Sequence, residues 1–155
     1  MKPAVLLTAV LSLGLATGVV AQQEPSANMK IVAEKIRADK KLLVAANMDL
    51  SEAEAAKFWP VYDAYQAELG KLAKRTAALI QDYAANYSAM TDPAAEKLLT
   101  ELLSLEKDRA DLMATYRPKF AAAVPVRKVA RYYQIENKIR AIVNYELADA
   151  IPLIP

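Results

Sequence analysis

What most restricts this chain is what it does without. Its 155 residues hold three glycines, Gly14 and Gly18 near the start and Gly70 alone thereafter, and no cysteine. Two-residue hairpin turns, phosphate-cradling loops and strained nucleophile turns all draw on glycine, because they need positive φ or a close backbone approach. A chain with one glycine after residue 18 is therefore poorly suited to strand-rich or nucleotide-binding folds. Alanine, leucine, glutamate and lysine dominate instead, and all are strong helix formers. With no disulfide to brace it, the fold must hold by packing alone. The expected class is all-α.

The opening MKPAVLLTAVLSLGLATGVVAQQ has the parts of a secretory signal. Lys2 gives the positive start, Ala4 to Val20 the apolar run, and Val19-Val20-Ala21 the small residues before a cleavage site. Residues 1–21 are read as a signal peptide cleaved after Ala21, and the protein as periplasmic. The alternative, an N-terminal anchor, suffers from a run short of the ~20 residues a span needs and interrupted by Gly14 and Gly18. No cysteine follows the cleavage site, which excludes a lipoprotein. Net charge is +2, falling to +1 once Lys2 is removed, with 25% of residues charged and both signs mixed. That describes a solvated surface and no nucleic-acid partner.

Gln22 to Asn28 is polar, contains Pro25 and reads as a flexible leader; a single helical domain is expected over 29–150. Its first helix runs from about Met29 to Asn47, with Ile31, Val32, Ile36, Leu43 and Val44 on one side and Lys35, Arg37, Lys40 and Lys41 on the other. Leu50-Ser51-Glu52-Ala53-Glu54 is a helix start. Ser51 can accept from the amide of Glu54 while the Glu54 carboxylate reaches back to the Ser51 amide, a capping box. Behind it Phe58, Tyr62, Tyr65, Leu69, Leu72, Thr76, Leu79 or Ile80, Tyr83 and Tyr87 recur in steps of three or four. Only Pro60 and Gly70 break the pattern before Thr91. About 37 residues at ~1.5 Å each would reach roughly 55 Å, longer than a compact domain of this size is wide.

Thr91-Asp92-Pro93 stops and restarts the chain, with Asp92 as N-cap and Pro93 at the first helical position. The third helix aligns Leu98, Leu102, Leu105, Leu112, Met113, Tyr116 and Phe120, and Pro118 interrupts it. A short connection makes the two long helices an antiparallel hairpin. Ala121 to Pro125 links to a last helix, about Val126 to Ala148, with Val129, Tyr132, Tyr133, Ile139, Ile142, Val143 and Leu147 on its apolar side. The tail 151–155 carries two prolines and should be extended. A proline inside a helix costs roughly 3 kcal/mol. Pro60 and Pro118 lie about 30 and about 28 residues from a turn near residue 90, so they fall at similar heights and would bend the hairpin as a unit.

One internal echo stands out. LSEAEAAKF (50–58) and VPVRKVARY (124–132) share a register at an offset of 74 residues. Each has an aliphatic residue, then a helix-start residue (Ser51 or Pro125), then alanine, a base and an aromatic at positions seven to nine. Duplication and chance similarity of two helix starts both account for it.

Signals of chemistry are scarce. There is no histidine and no cysteine, which removes the usual general bases, thiol nucleophiles and soft metal ligands. Carboxylate pairs such as Glu52/Glu54 and Asp108/Asp111 are ordinary on acid-rich helices. The expectation is no enzyme, no cofactor and no metal. The eight tyrosines, 62, 65, 83, 87, 116, 132, 133 and 145, point to contact surfaces, since tyrosine joins apolar area to a polar tip. The plainer account puts most of them at the boundary of a thin core.

Leu50-Ser51-x-x-Glu54 leading into Lys57-Phe58-Trp59-Pro60-Val61-Tyr62 resembles the Spy/CpxP family of periplasmic stress proteins, which carries two L-T-x-x-Q signatures at helix starts. The first copy matches as Leu50, Ser51 and Glu54; the second, degenerate, would be Val124, Pro125 and Lys128. The resemblance covers roughly 40–145. It implies a cradle of about four helices, dimeric in the best-known members, with a long bent hairpin flanked by N- and C-terminal helices. It also implies a chaperone that needs no ATP and binds unfolded or partly folded periplasmic proteins on an aromatic and basic concavity. Phe58, Tyr62, Tyr65, Arg127, Lys128 and Arg131 are the candidate client-binding residues. Alternatives are a regulatory module docking on the periplasmic domain of a membrane stress sensor, or a metal sensor that works without histidine.

Overall fold

The computed structural model describes residues 39–154, and all regular structure among them is helical. Helix α1 covers 39–48 of the described residues; α2 is Glu52–Asn86, α3 Asp92–Ala123 and α4 Val126–Ala150. A short 3-10 turn, Tyr87–Ala89, joins α2 to α3. The expected signal peptide, the leader and the first ten residues of the expected first helix lie outside the described residues. No helix among the described residues is long and apolar enough to cross a membrane.

Local chemistry explains the boundaries. Asp49 ends α1 with φ of 48°, a left-handed conformation that aspartate tolerates better than most residues. Ser51 then opens α2 with the full capping box: its hydroxyl accepts from the Glu54 amide at 3.3 Å, and the Ser51 amide donates to the Glu54 carboxylate at 2.9 Å. At the second start the cap is Thr91, not Asp92, with its hydroxyl accepting from the Ala94 amide. Asp92 takes the first turn, where its charge suits the helix dipole.

The linker expected over Ala121 to Pro125 shrinks to Val124-Pro125, because α3 holds its hydrogen bonding to Ala123. Only the residue before proline is pushed to extended backbone, and Val124 is, at φ −143° and ψ 159°. Neither internal proline ends its helix. Each leaves a carbonyl four residues earlier without its amide partner, Ala56 and Ala114, and both residues are exposed, so water can serve them.

Helices α2 and α3 pack antiparallel, as their cross-helix partners show. Asp82 meets Lys97 at 3.2 Å, Arg75 meets Glu101 at 2.9 Å and Asp108 at 2.6 Å, Tyr65 stacks near Tyr116, and Phe58 near Phe120. Helix α4 runs back along this pair from the Pro60/Pro118 end toward the turn, and α1 covers α2 and α4 at that same end.

Candidate functional site

The end of the molecule that holds the helix starts is closed by aromatic rings. Tyr132 of α4, 0% exposed, sits among Phe58, Tyr62 and Tyr65 of α2 and Phe120 of α3, with centroids 4.7 to 6.2 Å away. Val44 and Met48 of α1 cover the same cluster. Burying one such ring is worth roughly 1.5–3 kcal/mol, and ring pairs add about 0.5–1.5 kcal/mol. The three aromatics expected to face clients, Phe58, Tyr62 and Tyr65, are therefore the core of the fold. Their rings have no exposed face to offer a partner, and that expectation is corrected. Burial also pushes the Tyr62, Tyr65 and Tyr132 hydroxyls far above their ordinary pKa, with Glu136 adding to the effect. Tyr133, less deeply placed, is pushed up to about 12 by the same burial.

A polar network crosses one side of this core with its bonds satisfied. Lys40 Nζ donates to Glu136 at 2.8 Å and to Gln66 at 2.9 Å, while Gln66 Nε2 donates to Glu136 at 2.9 Å and to the Tyr132 hydroxyl at 3.0 Å. Lys41 reaches Asp63 at 2.6 Å and lies over the Trp59 ring. The cationic side of α1 thus serves, at these two positions, to fasten α1 to its neighbours.

Two of the three expected basic client residues do similar work. Lys128 Nζ donates to the Glu54 carboxylate at 2.6 Å and to the Asp49 carbonyl at 2.6 Å, and Arg131 Nε donates to the Asn47 carbonyl. Both cations thereby serve carbonyls at the C-terminal end of α1, where the helix leaves acceptors unpaired and favours positive charge. Arg127 is exposed. The echoed helix starts face each other: Glu54 of the first and Lys128 of the second are the ion pair, and Lys128 is the main reason that the Glu54 carboxyl sits below its ordinary pKa. Leu50 packs against the core and Val124 lies within it.

Beyond Arg75 the character changes. Arg75 is held by Glu101, Asp108 and Ser104 of α3, and it keeps the Asp108 carboxyl below its ordinary range. From there to the turn, α2, α3 and the second half of α4 enclose an apolar trough of about 470 Å³. Leu79, Ile80, Leu98, Leu102, Leu105 and Leu147 form most of its wall, and the tail closes its far end through Ile151 and Ile154. The Tyr83 hydroxyl donates to the Pro152 carbonyl and fastens the tail there. At the near end stand Arg109 and Arg140. The sequence pattern marks most of these leucines and isoleucines as an apolar face. It does not mark the space between them, because periodicity tells which side turns inward and not whether three helices meet.

Comparison with protein-family models, with curated proteins and with solved structures finds no match to this chain.

Proposed function

We propose that this chain is an exported, non-enzymatic binding protein that holds unfolded or partly folded proteins without ATP, as its resemblance to the Spy/CpxP family implies. One observation carries the reading: the half of the molecule near the α2–α3 turn leaves a surplus of large apolar side chains in water. Leu99, Leu102 and Leu103 of α3 and Ile142 and Val143 of α4 are all exposed. Leu99, Leu102 and Leu103 are neighbours on α3 at spacings of three and four, and clustered exposed apolar surface on a small protein usually marks a site that a partner covers. The client surface is accordingly this aliphatic one, in place of the buried aromatics.

The finer shape belongs to the same proposal. Pro60 and Pro118 stand at one height on paired helices, where the α2–α3 pair bends into the floor of a cradle. Replacing both with alanine should straighten the pair, and an unchanged small-angle scattering profile would remove the bend from the account.

The deciding experiment is suppression of aggregation of a reduced or heat-labile client. Equimolar protein should suppress it, and Leu99→Asp with Leu103→Asp should weaken the effect several-fold while leaving the helical circular dichroism intact. No suppression by the unaltered protein at equimolar ratio sinks the chaperone reading. If crosslinking then yields one stoichiometric membrane partner, a module docking on a sensor domain takes its place.

A further inference from the structure

The apolar trough does not end blindly at the middle of the molecule. Arg109 and Arg140 line it, and the same two side chains line a second, smaller cavity of about 150 Å³ with Tyr65, Tyr133, Glu136 and Asn137. The two cavities thus share a wall at the two guanidinium groups, where the aliphatic lining of the first meets the mixed lining of the second, Leu69 and Met113 beside Glu136 and Asn137. The charge there is only partly spent internally, since Glu106, which also lines the trough, offers Arg140 a single long contact. Arg109 is half-buried and forms no ion pair and no side-chain hydrogen bond with any described residue. Arg140, 41% exposed, reaches Glu106 only at 3.9 Å and donates to Asn137 at 3.1 Å. The Glu136 carboxylate in the smaller cavity is already balanced by Lys40. From Arg109 to Ala95 along α3 the trough runs about 21 Å at ~1.5 Å per residue. One lipid acyl chain fills half of a ~30 Å bilayer core, so a trough of that length accommodates one.

We infer that the trough forms a site for a single-chain fatty carboxylate, its chain among the leucines and its head between Arg109 and Arg140, where the smaller cavity adjoins. Guanidinium groups match a carboxylate in shape as well as charge, and a cation in a partly dry setting attracts an anion more strongly than one in bulk water. Pockets that are mostly apolar with a few convergent polar groups are the usual form of small-molecule sites. Tyr83, through Pro152, lays Ile151 and Ile154 over the tail end of such a chain. The inference does not rest on client holding: Leu99 and Leu102 belong to both surfaces, but the acid-over-alcohol preference depends on Arg109 and Arg140 and is read by direct binding of a small molecule.

The test is calorimetric titration of delipidated protein with monomeric palmitate and, separately, with 1-hexadecanol, which keeps the chain and loses the charge. Palmitate should bind one to one and at least tenfold more tightly than the alcohol. Arg109→Gln with Arg140→Gln should erase that preference and leave alcohol binding unchanged; both side chains lie at the surface of the groove, and the alcohol arm reports whether the variant still forms its trough. No saturable palmitate binding, equal affinity for acid and alcohol, or a preference that survives the double variant would each overturn the assignment. So would tighter binding to anionic phospholipid vesicles than to monomeric palmitate, which would mark a membrane-facing surface.

Discussion

The two halves of this molecule use the same helices and reach opposite results. Toward the helix starts, α2 and α3 offer Phe58, Tyr62, Tyr65, Tyr116 and Phe120, and α4 answers with Tyr132 and Tyr133; large rings meet at 4.7 to 6.4 Å and leave only the cavity of about 150 Å³ beside Tyr65 and Tyr133. Toward the turn, α2 and α3 offer alanine and leucine, and α4 arrives with Leu147 against a gap of about 470 Å³. Three helices in register close around aromatics and stay ajar around aliphatics. The lesson is that side-chain bulk, more than helix order, decides where this thin bundle has an interior.

Unequal damage from core truncation would sharpen that contrast most. Phe120→Ala, in the closed half, should cost about 3–5 kcal/mol in urea unfolding, since it opens a cavity between fixed rings. Leu103→Ala, 62% exposed in the open half, should stay within about 0.5 kcal/mol. Equal losses would erase the distinction. Next comes the rim of the closed half. Glu136→Ala strips partners from Lys40 and Gln66 at once, in a side chain only 12% exposed, and should cost about 1.5–3 kcal/mol.

Gly70 lies on α2 between the halves, and a Cβ there meets nothing within 4 Å. Gly70→Ala should stabilise the protein by roughly 0.5–1 kcal/mol, read as a raised Tm; a loss would show that the middle of α2 is packed more tightly than the contrast allows. The smallest effect is acid sensitivity. The Glu54 and Asp108 carboxyls sit below their ordinary pKa because Lys128 and Arg75 bond to them. A lowered folded pKa gives stability that is complete above the unfolded value and fades as pH drops through the carboxylate range. Urea midpoints should therefore fall from about pH 6 to about pH 3, and Glu54→Gln should flatten part of that slope.

Much of the helical layout was legible because its causes are local. Ser51 and Glu54 are three residues apart, and their capping box needs nothing else. The start of α3 falls one residue before the expected one, since Thr91 and Asp92 are both competent caps ahead of Pro93. The end of α3 lies later than expected because Pro125 constrains Val124 and nothing before it. The candidate site was far less legible. Lys128 and Arg131 looked like a basic patch, yet their acceptors at Asp49 and Asn47 lie 79 and 84 residues away, and no pattern in a charge run names a distant carbonyl. The same holds for Phe58, Tyr62 and Tyr65: spacing gives their face, surface and core both suit it, and only the arrival of Tyr132 decides what that face meets.

The Glu54–Lys128 pair carries a consequence for the order of assembly. It ties two points 74 residues apart, whereas contacts between α2 and α3 begin beside the turn and can spread outward one helical step at a time. Closing a longer loop costs entropy only logarithmically, but contacts distant in sequence still form late. The two long helices should therefore pair first, and α4 should dock last, seating Tyr132 as the final large ring. A substitution at Tyr132 would then barely change how fast the protein folds and would mainly hasten how fast it comes apart.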